Sequence, residues 1–206
     1  MAVDSINISS QALGLLRANP ITSFTDGSNE SAICSLFYDT FVKDILTRYP
    51  WSFCTKKRKL NQDSTAPTNE FRYAHIVPAD ALRVWAVFNS GSVGAIPIKE
   101  YDIQAPDGSR LIFSNFEELW CDYTYYVDEG YWPPYFIHFA IHAFAALIAK
   151  PVTDQDDLAN RLFIQAWGNN LEGERGGKFS VAVSTDALQK PGETISSSPL
   201  IEARFS

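Results

Sequence analysis

WPPYFIHFAIHAFAALIAK, residues 132–150, carries only two polar side chains between Tyr135 and Ala149, His138 and His142. A helix that is apolar on every face must be buried, in lipid or inside a protein. A bilayer span needs roughly 20 apolar residues. This run falls short of that and holds two imidazoles, so it reads as the central helix of a soluble core, over about 134–149. Pro133 and Pro134 suit the first positions of a helix, where a missing N–H costs nothing. Pro151 is expected to end it. Ala140, Ala143, Ala145, Ala146 and Ala149 let neighbouring helices approach closely, and Tyr135, Phe136, Phe139 and Phe144 fill volume on the other side.

Before this stretch, two further helices are expected. Residues 5–18 form a first short one, capped by Asp4 or Ser5 and stopped by Asn19-Pro20. In the second, over 31–49, Ile33, Phe37, Phe41 and Ile45 recur at four-residue spacing. Pro50 closes it. Residues 51–127 then change character and read as a β-rich insertion. Strands are expected over 51–60, 71–77, 82–89, 95–98, 111–113 and 119–127, broken by Pro78-Ala79-Asp80, by Gly91 and Gly94, and by Pro106-Asp107-Gly108.

After the central helix, Thr153 and Asp156 resemble a capping box for a fourth helix over 154–175, with Gly176-Gly177 as its stop. Residues 178–206 are rich in Ser, Thr and Pro and show no helical period. They read as an extended tail in which Phe179, Val181 and Val183 alternate. The fold class is therefore α+β: a bundle of about four helices, a β-rich insertion between the second and third, and an extended C-terminal tail. Residues 1–177 make one domain and 178–206 its extension.

The chain has 206 residues, 46% of them hydrophobic and 14% aromatic, enough for one sizeable core. A net charge of −7 argues against bulk attraction to nucleic acid or an anionic membrane. Cys34, Cys54 and Cys121 are far apart and odd in number, which fits buried thiols in a reducing compartment better than a disulfide framework. The first ten residues lack the charged and apolar regions of a signal peptide.

No motif brings chemistry together. His138 and His142 lie four apart on one helical face, but Phe139 stands where HEXXH needs Glu, and no nearby Cys or Asp completes a ligand set. They read as packed histidines; the sharper alternative is a small cytoplasmic hydrolase that uses one of them. Lys56, Lys57, Arg58 and Lys59 form the only basic run. On a strand they divide between two faces, so a solvated edge strand is expected, with an accessory nucleic-acid binder as the alternative. Asp154, Asp156 and Asp157 lack EF-hand spacing and suit a helix start. Neither a nucleophile elbow nor a phosphate loop is present, so no cofactor or metal is called for and an enzyme is not expected.

The order of features nevertheless has a parallel. Asn19-Pro20-Ile21-Thr22-Ser23-Phe24 precedes an apolar helix that ends in Tyr49-Pro50-Trp51-Ser52-Phe53. The Leu60 strand follows, then Phe71-Arg72-Tyr73 and Val77-Pro78-Ala79-Asp80-Ala81-Leu82-Arg83-Val84. Tyr125 to Asp128 then lead into Trp132-Pro133-Pro134-Tyr135-Phe136 and the alanine-rich helix. Over residues 5–175 the chain resembles the tail tubular protein A, or head-to-tail adaptor, family of short-tailed bacteriophages. That resemblance implies a structural virion protein, made in the host cytoplasm and located at the head-to-tail junction without a membrane anchor. It implies a homo-oligomeric, dodecameric ring below the portal protein that extends the DNA channel and supports a tail nozzle. Double-stranded DNA would pass without specific binding. On the same resemblance, Phe179, Leu200, Ile201 and Phe205 are assigned to the portal contact. Asn89, Ile98, Tyr101 and Phe113 are assigned to the nozzle contact.

Overall fold

Asp4 opens the first helix: its carboxylate accepts a hydrogen bond from Asn7 N at 2.7 Å and caps α1 (Ser5–Leu15). The computed structural model describes residues 3–64, 67, 69–92, 94–106, 108–169 and 175–189. In the connector that follows, the Asp26 carboxylate accepts from Thr22 N, Ser28 N and Ser28 Oγ. These donors hold it well below the usual carboxylate range. Ser28 in turn caps α2 (Asn29–Thr47), accepting from Ser31 N at 3.1 Å. The helix starts and stops two residues earlier than its sequence pattern predicts. Ser28 supplies a better cap than the residues after it, and Pro50 disfavours helical geometry in the residue before it.

A strand over 51–60 would put Trp51 and Phe53 on one of its faces, yet both pack in the helical core. The strand begins later, as β1 (Thr55–Lys59). It pairs antiparallel with β7 (Trp120–Tyr125), which also pairs with β4 (Ala81–Phe88), giving a three-stranded sheet in the order β1-β7-β4. After Leu60 the chain continues into β2 (Asn61–Gln62), the edge of a second sheet. There β2 pairs with β3 (Tyr73–Ile76), β3 with β6 (Leu111–Ser114), and β6 with β5 (Tyr101–Gln104). The two sheets share a core of Leu60, Val77, Val87, Ile112, Leu119 and Tyr123. Residues 95–98, expected as a strand, are not one. Pro97 has no N–H for a ladder, and only Ile98 N reaches Val87 O, at 2.8 Å. The strand appears instead at β5.

After a 3-10 turn at Glu129–Tyr131, α3 (Pro134–Thr153) runs 20 residues, with Pro133 as its N-cap. It continues through Pro151 and ends at Asp154, which takes the left-handed conformation (φ 53°). The hydrogen bond that Pro151 cannot make would go to the Leu147 carbonyl, on a solvent-facing turn, so the helix tolerates it. By length and composition alone α3 could cross a membrane. In this fold Phe136, Phe139, Ala140, Phe144, Ala145 and Ile148 are buried among α1, α2 and two C-terminal helices. It is not covered all round: His138, Leu147 and Lys150 are exposed.

The last part of the chain departs most from expectation. Helix α4 spans Asp156–Trp167 and does not reach residue 175. It stops at Gly168 (φ 99°), where a two-stranded ribbon pairs β8 (Gly168–Asn169) with β9 (Arg175–Gly176). Positive φ favours glycine, and Gly168 is the first glycine the helix meets; Gly176 also has a positive φ (92°) but lies in the returning strand β9, after the helix has ended. Gly177 has a different role: a Cβ there would sit 2.3 Å from Gly168 N. The stretch read as the start of an extended tail is a fifth helix, α5 (Lys178–Ala187). Its inward set is Phe179, Ala182, Val183 and Asp186, spaced i, i+3, i+4 and i+7. The period was hidden because one of its four positions is an aspartate. The α+β class therefore stands, but the described residues form five helices and two antiparallel sheets plus a ribbon, and not a bundle of about four helices.

Trp51 joins these parts. It is fully buried, its Nε1 donates to Ile45 O at 3.1 Å, and its ring meets those of Tyr49, Phe136, Phe139 and Phe179. Trp51→Ala should cost about 3–5 kcal/mol of unfolding free energy in urea titration. A loss below about 1 kcal/mol would contradict this packing.

Candidate functional site

The structure separates the residues that could carry chemistry into four places. The first is the histidine pair on α3. His138 is exposed and His142 half-buried, with ring centroids 4.7 Å apart. The Nδ1 of His142 lies 2.9 Å from the His138 carbonyl oxygen, a hydrogen bond within the helix. Partial desolvation, the Lys178 ammonium and the second imidazole hold His138 below the usual histidine pKa. A cation and a like-charged neighbour disfavour an imidazolium, and they bring no carboxylate to orient a general base. Among the described residues, no group of three His, Cys, Asp or Glu side chains is placed to hold a metal.

The second is β1. It is an edge strand, and its cations divide between two faces as the alternation predicts. Lys56 pairs with Asp80 at 2.8 Å and lies 4.0 Å from the centre of the Tyr125 ring. Lys57 pairs with Asp122 at 3.9 Å and covers Phe88, while Lys59 pairs with Glu118. Three of the four cations therefore face carboxylates, and the run carries little net charge. Arg58 and Lys59 line a cleft of about 480 Å³ between the sheets, together with Asn61, Ser109 and Arg110. The Arg110 guanidinium there is already committed to the carbonyls of Ala81 and Leu82.

The third place was not legible in the sequence. Asp186, fully buried on α5, accepts hydrogen bonds from Ser52 N at 3.0 Å, Ser52 Oγ at 2.6 Å and the Tyr135 hydroxyl at 2.6 Å. A serine beside a carboxylate hints at catalysis. Here no histidine lies between them, and the serine and tyrosine donors point at the carboxylate and away from solvent. The arrangement ties α5 to α3 and to the turn before β1. Burial, with Asp186 beside it, also pushes the Tyr135 hydroxyl pKa upward. The only sequence signal was an aspartate at a core-facing helical position, which reads as solvent-exposed until the helix is known.

The fourth is an apolar groove of about 610 Å³ over the C-terminal half of α3. It is lined by Phe37, Phe41, Ala143, Leu147, Phe163 and Trp167. Leu147 and Phe163 keep 44% and 38% of their surface exposed, large for residues of this kind in a helical layer.

The residues assigned to partners fall in different settings. Phe179 packs against Trp51, Phe139 and Trp167, with ring centroids 5.4–5.9 Å away, so it is a core side chain and not a surface anchor. Phe113 is buried with Ala74 and Leu111 on the second sheet and is likewise closed to a partner. Asn89 is exposed just after β4, and Ile98 and Tyr101 are half-buried against the β core. Between them Ile96 is 82% exposed. Leu200, Ile201 and Phe205 lie outside the described residues.

Set against known proteins, the chain matches no family model and no curated protein.

All three cysteines are buried free thiols. Burial pushes Cys34 up to about 11, and Cys54 and Cys121 up to about 12, from an ordinary 9.0. In the unfolded chain these thiols lose protons as pH passes the ordinary value, whereas the folded chain retains them. The folded state then binds more protons, so stability is full below that pH and falls as pH rises toward the folded values. Urea denaturation should show unfolding free energy declining between pH 9 and 11, and Cys54→Ala with Cys121→Ala should flatten the decline. A wild-type profile that stays level or rises over this interval would refute the burial argument.

Proposed function

We propose that this chain is a structural, non-enzymatic virion protein, a head-to-tail adaptor that forms a ring between a portal protein and a tail nozzle. The observation that carries the reading is the order of elements. Two N-terminal helices, an antiparallel β unit over 55–125 and a central helix introduced by Trp132-Pro133-Pro134 follow the order of the features that carry the adaptor resemblance. The electrostatics agree with it. A chain of net charge −7 whose basic strand is balanced by Asp80, Asp122 and Glu118 has little with which to grip a polyanion. DNA would slide past it without specific binding.

In this reading, association replaces catalysis. The helical layer supplies the lateral contacts of a ring, dodecameric as in the family the sequence resembles. The loop after β4, with Asn89 and the protruding Ile96, faces the nozzle, while Ile98 and Tyr101 anchor that loop to the β core. The protein is made in the host cytoplasm and resides at the junction. No specific observation favours a hydrolase built on His138 or His142, since one imidazole nitrogen is held by a backbone carbonyl and the nearest added charge is Lys178.

Electron cryo-microscopy of particles from the source should place a ring of copies between portal and tail. Particles whose junction contains no copy of this chain would overturn the adaptor reading.

A further inference from the structure

The first half of α3 holds two imidazoles that the packing of the helix does not use. His138 and His142 are one turn apart, so their side chains are neighbours on one face. That face reaches solvent: His138 is exposed and His142 half-buried.

The hydrogen bond of His142 decides what its ring offers. Its Nδ1 lies 2.9 Å from the His138 carbonyl oxygen. A carbonyl can only accept, so Nδ1 carries the proton and Nε2 keeps its lone pair. Holding one imidazole nitrogen on a carbonyl fixes the ring orientation and raises the basicity of the other nitrogen, which is how ligating histidines are set up. The His138 ring has no hydrogen-bond partner among the described residues, so it can turn toward its neighbour.

The spacing of the rings fits a shared ion. Their centroids stand 4.7 Å apart, with the planes at 76°. Two imidazoles on one tetrahedral ion, with metal–nitrogen bonds of about 2.0–2.1 Å, place their centroids about 5 Å apart. Rotation of the exposed His138 ring completes that geometry without moving the helix. Lys178 acts in two directions. Its ammonium helps hold His138 neutral, the form that ligates, and it also repels an incoming cation.

The donor set selects the ion. Neutral imidazoles suit zinc, nickel and copper, whereas magnesium and calcium take oxygen ligands. No third His, Cys, Asp or Glu joins the pair among the described residues, so the site is open and not a closed structural one. The other imidazole of the chain, His75, is fully buried with Nε2 3.0 Å from Glu117 O, and the three thiols are buried. They do not compete.

We propose that His138 and His142 form an open two-imidazole site on α3 for a divalent transition-metal ion of the zinc class, with water in the remaining positions. The site does not depend on the adaptor reading, and its test bears on α3 alone.

Calorimetric titration of the full chain, without a polyhistidine tag, with zinc chloride alone tests it. One ion should bind per chain. His138→Gln and His142→Gln should each weaken binding at least about tenfold, since a single imidazole lacks the advantage of two joined donors. His138 is exposed, so His138→Gln keeps the fold and carries the test by itself. In NMR spectra the ring Hε1 resonances of His138 and His142 should move on adding zinc, while that of His75 stays. Cobalt, nickel and copper should bind in order of increasing affinity, and millimolar magnesium should not displace zinc. Affinity unchanged by His138→Gln, or displacement by magnesium, would overturn the proposal and assign the ion to carboxylates. One ion shared between two chains would also overturn it, because imidazoles of two copies would then make the site.

Discussion

Burial of the Trp51 indole is the constraint on which the rest depends. Trp51 follows α2 by a few residues and precedes β1, so fixing it sets where the helical layer stops and the β unit begins. Its ring is enclosed by Phe136 and Phe139 of α3 and Phe179 of α5, so residues far apart in the chain meet on one indole. Trp132 extends the cluster through Phe136, and Trp167 extends it through Phe139 and Phe179. Packed aromatic rings of this kind gain from large buried area and from edge-to-face contacts. The buried Asp186 beside them adds direction: a carboxylate that satisfies Ser52 and Tyr135 together admits one placement of α5 and penalises others.

The β unit is joined to this core at few points, and these transmit position. Tyr125 packs in both cores, its N–H donates to Cys54 O at 3.0 Å, and Arg83 reaches back to the Thr47 carbonyl at the end of α2. Its outward edges are managed by charge and by plugging. The β1 edge carries lysines and an arginine, which discourage another strand from pairing there. Arg110 occupies carbonyls at the start of β4, and Ile98 N occupies one near its end. The basic run is thereby explained as edge protection balanced by neighbouring carboxylates.

What could be read from the sequence followed from periodicity and punctuation. The stripe Phe37, Phe41, Ile45 gave α2 because each apolar position faces the core. The prolines before Tyr135 gave the start of α3, and the β-branched and aromatic run over 119–127 gave β7. The misreadings share a cause: a residue whose role is set by tertiary partners. Asp186 breaks the apolar period of α5 yet is its most buried polar position, so the helix looked like a tail. Gly168 stops α4 by its positive φ, a property that a glycine in mid-pattern does not announce. Pro151 fell inside a helix because its missing bond lies on the exposed side. The Ser52–Tyr135–Asp186 site joins positions 134 residues apart at the extremes, and no local pattern carries such a pairing. The groove was equally hidden, since it is a gap between three helices.

The central claim is that α5, the helix after the ribbon, belongs to the core through Trp51 and Asp186. Residue-resolved amide hydrogen exchange of the native protein tests it most directly. The account predicts that the interior amides of α5, residues 182–187, exchange as slowly as those of α3, because both helices open only when the aromatic cluster does. Exchange over 182–187 at the rate of an unstructured peptide, with α3 still protected, would contradict it.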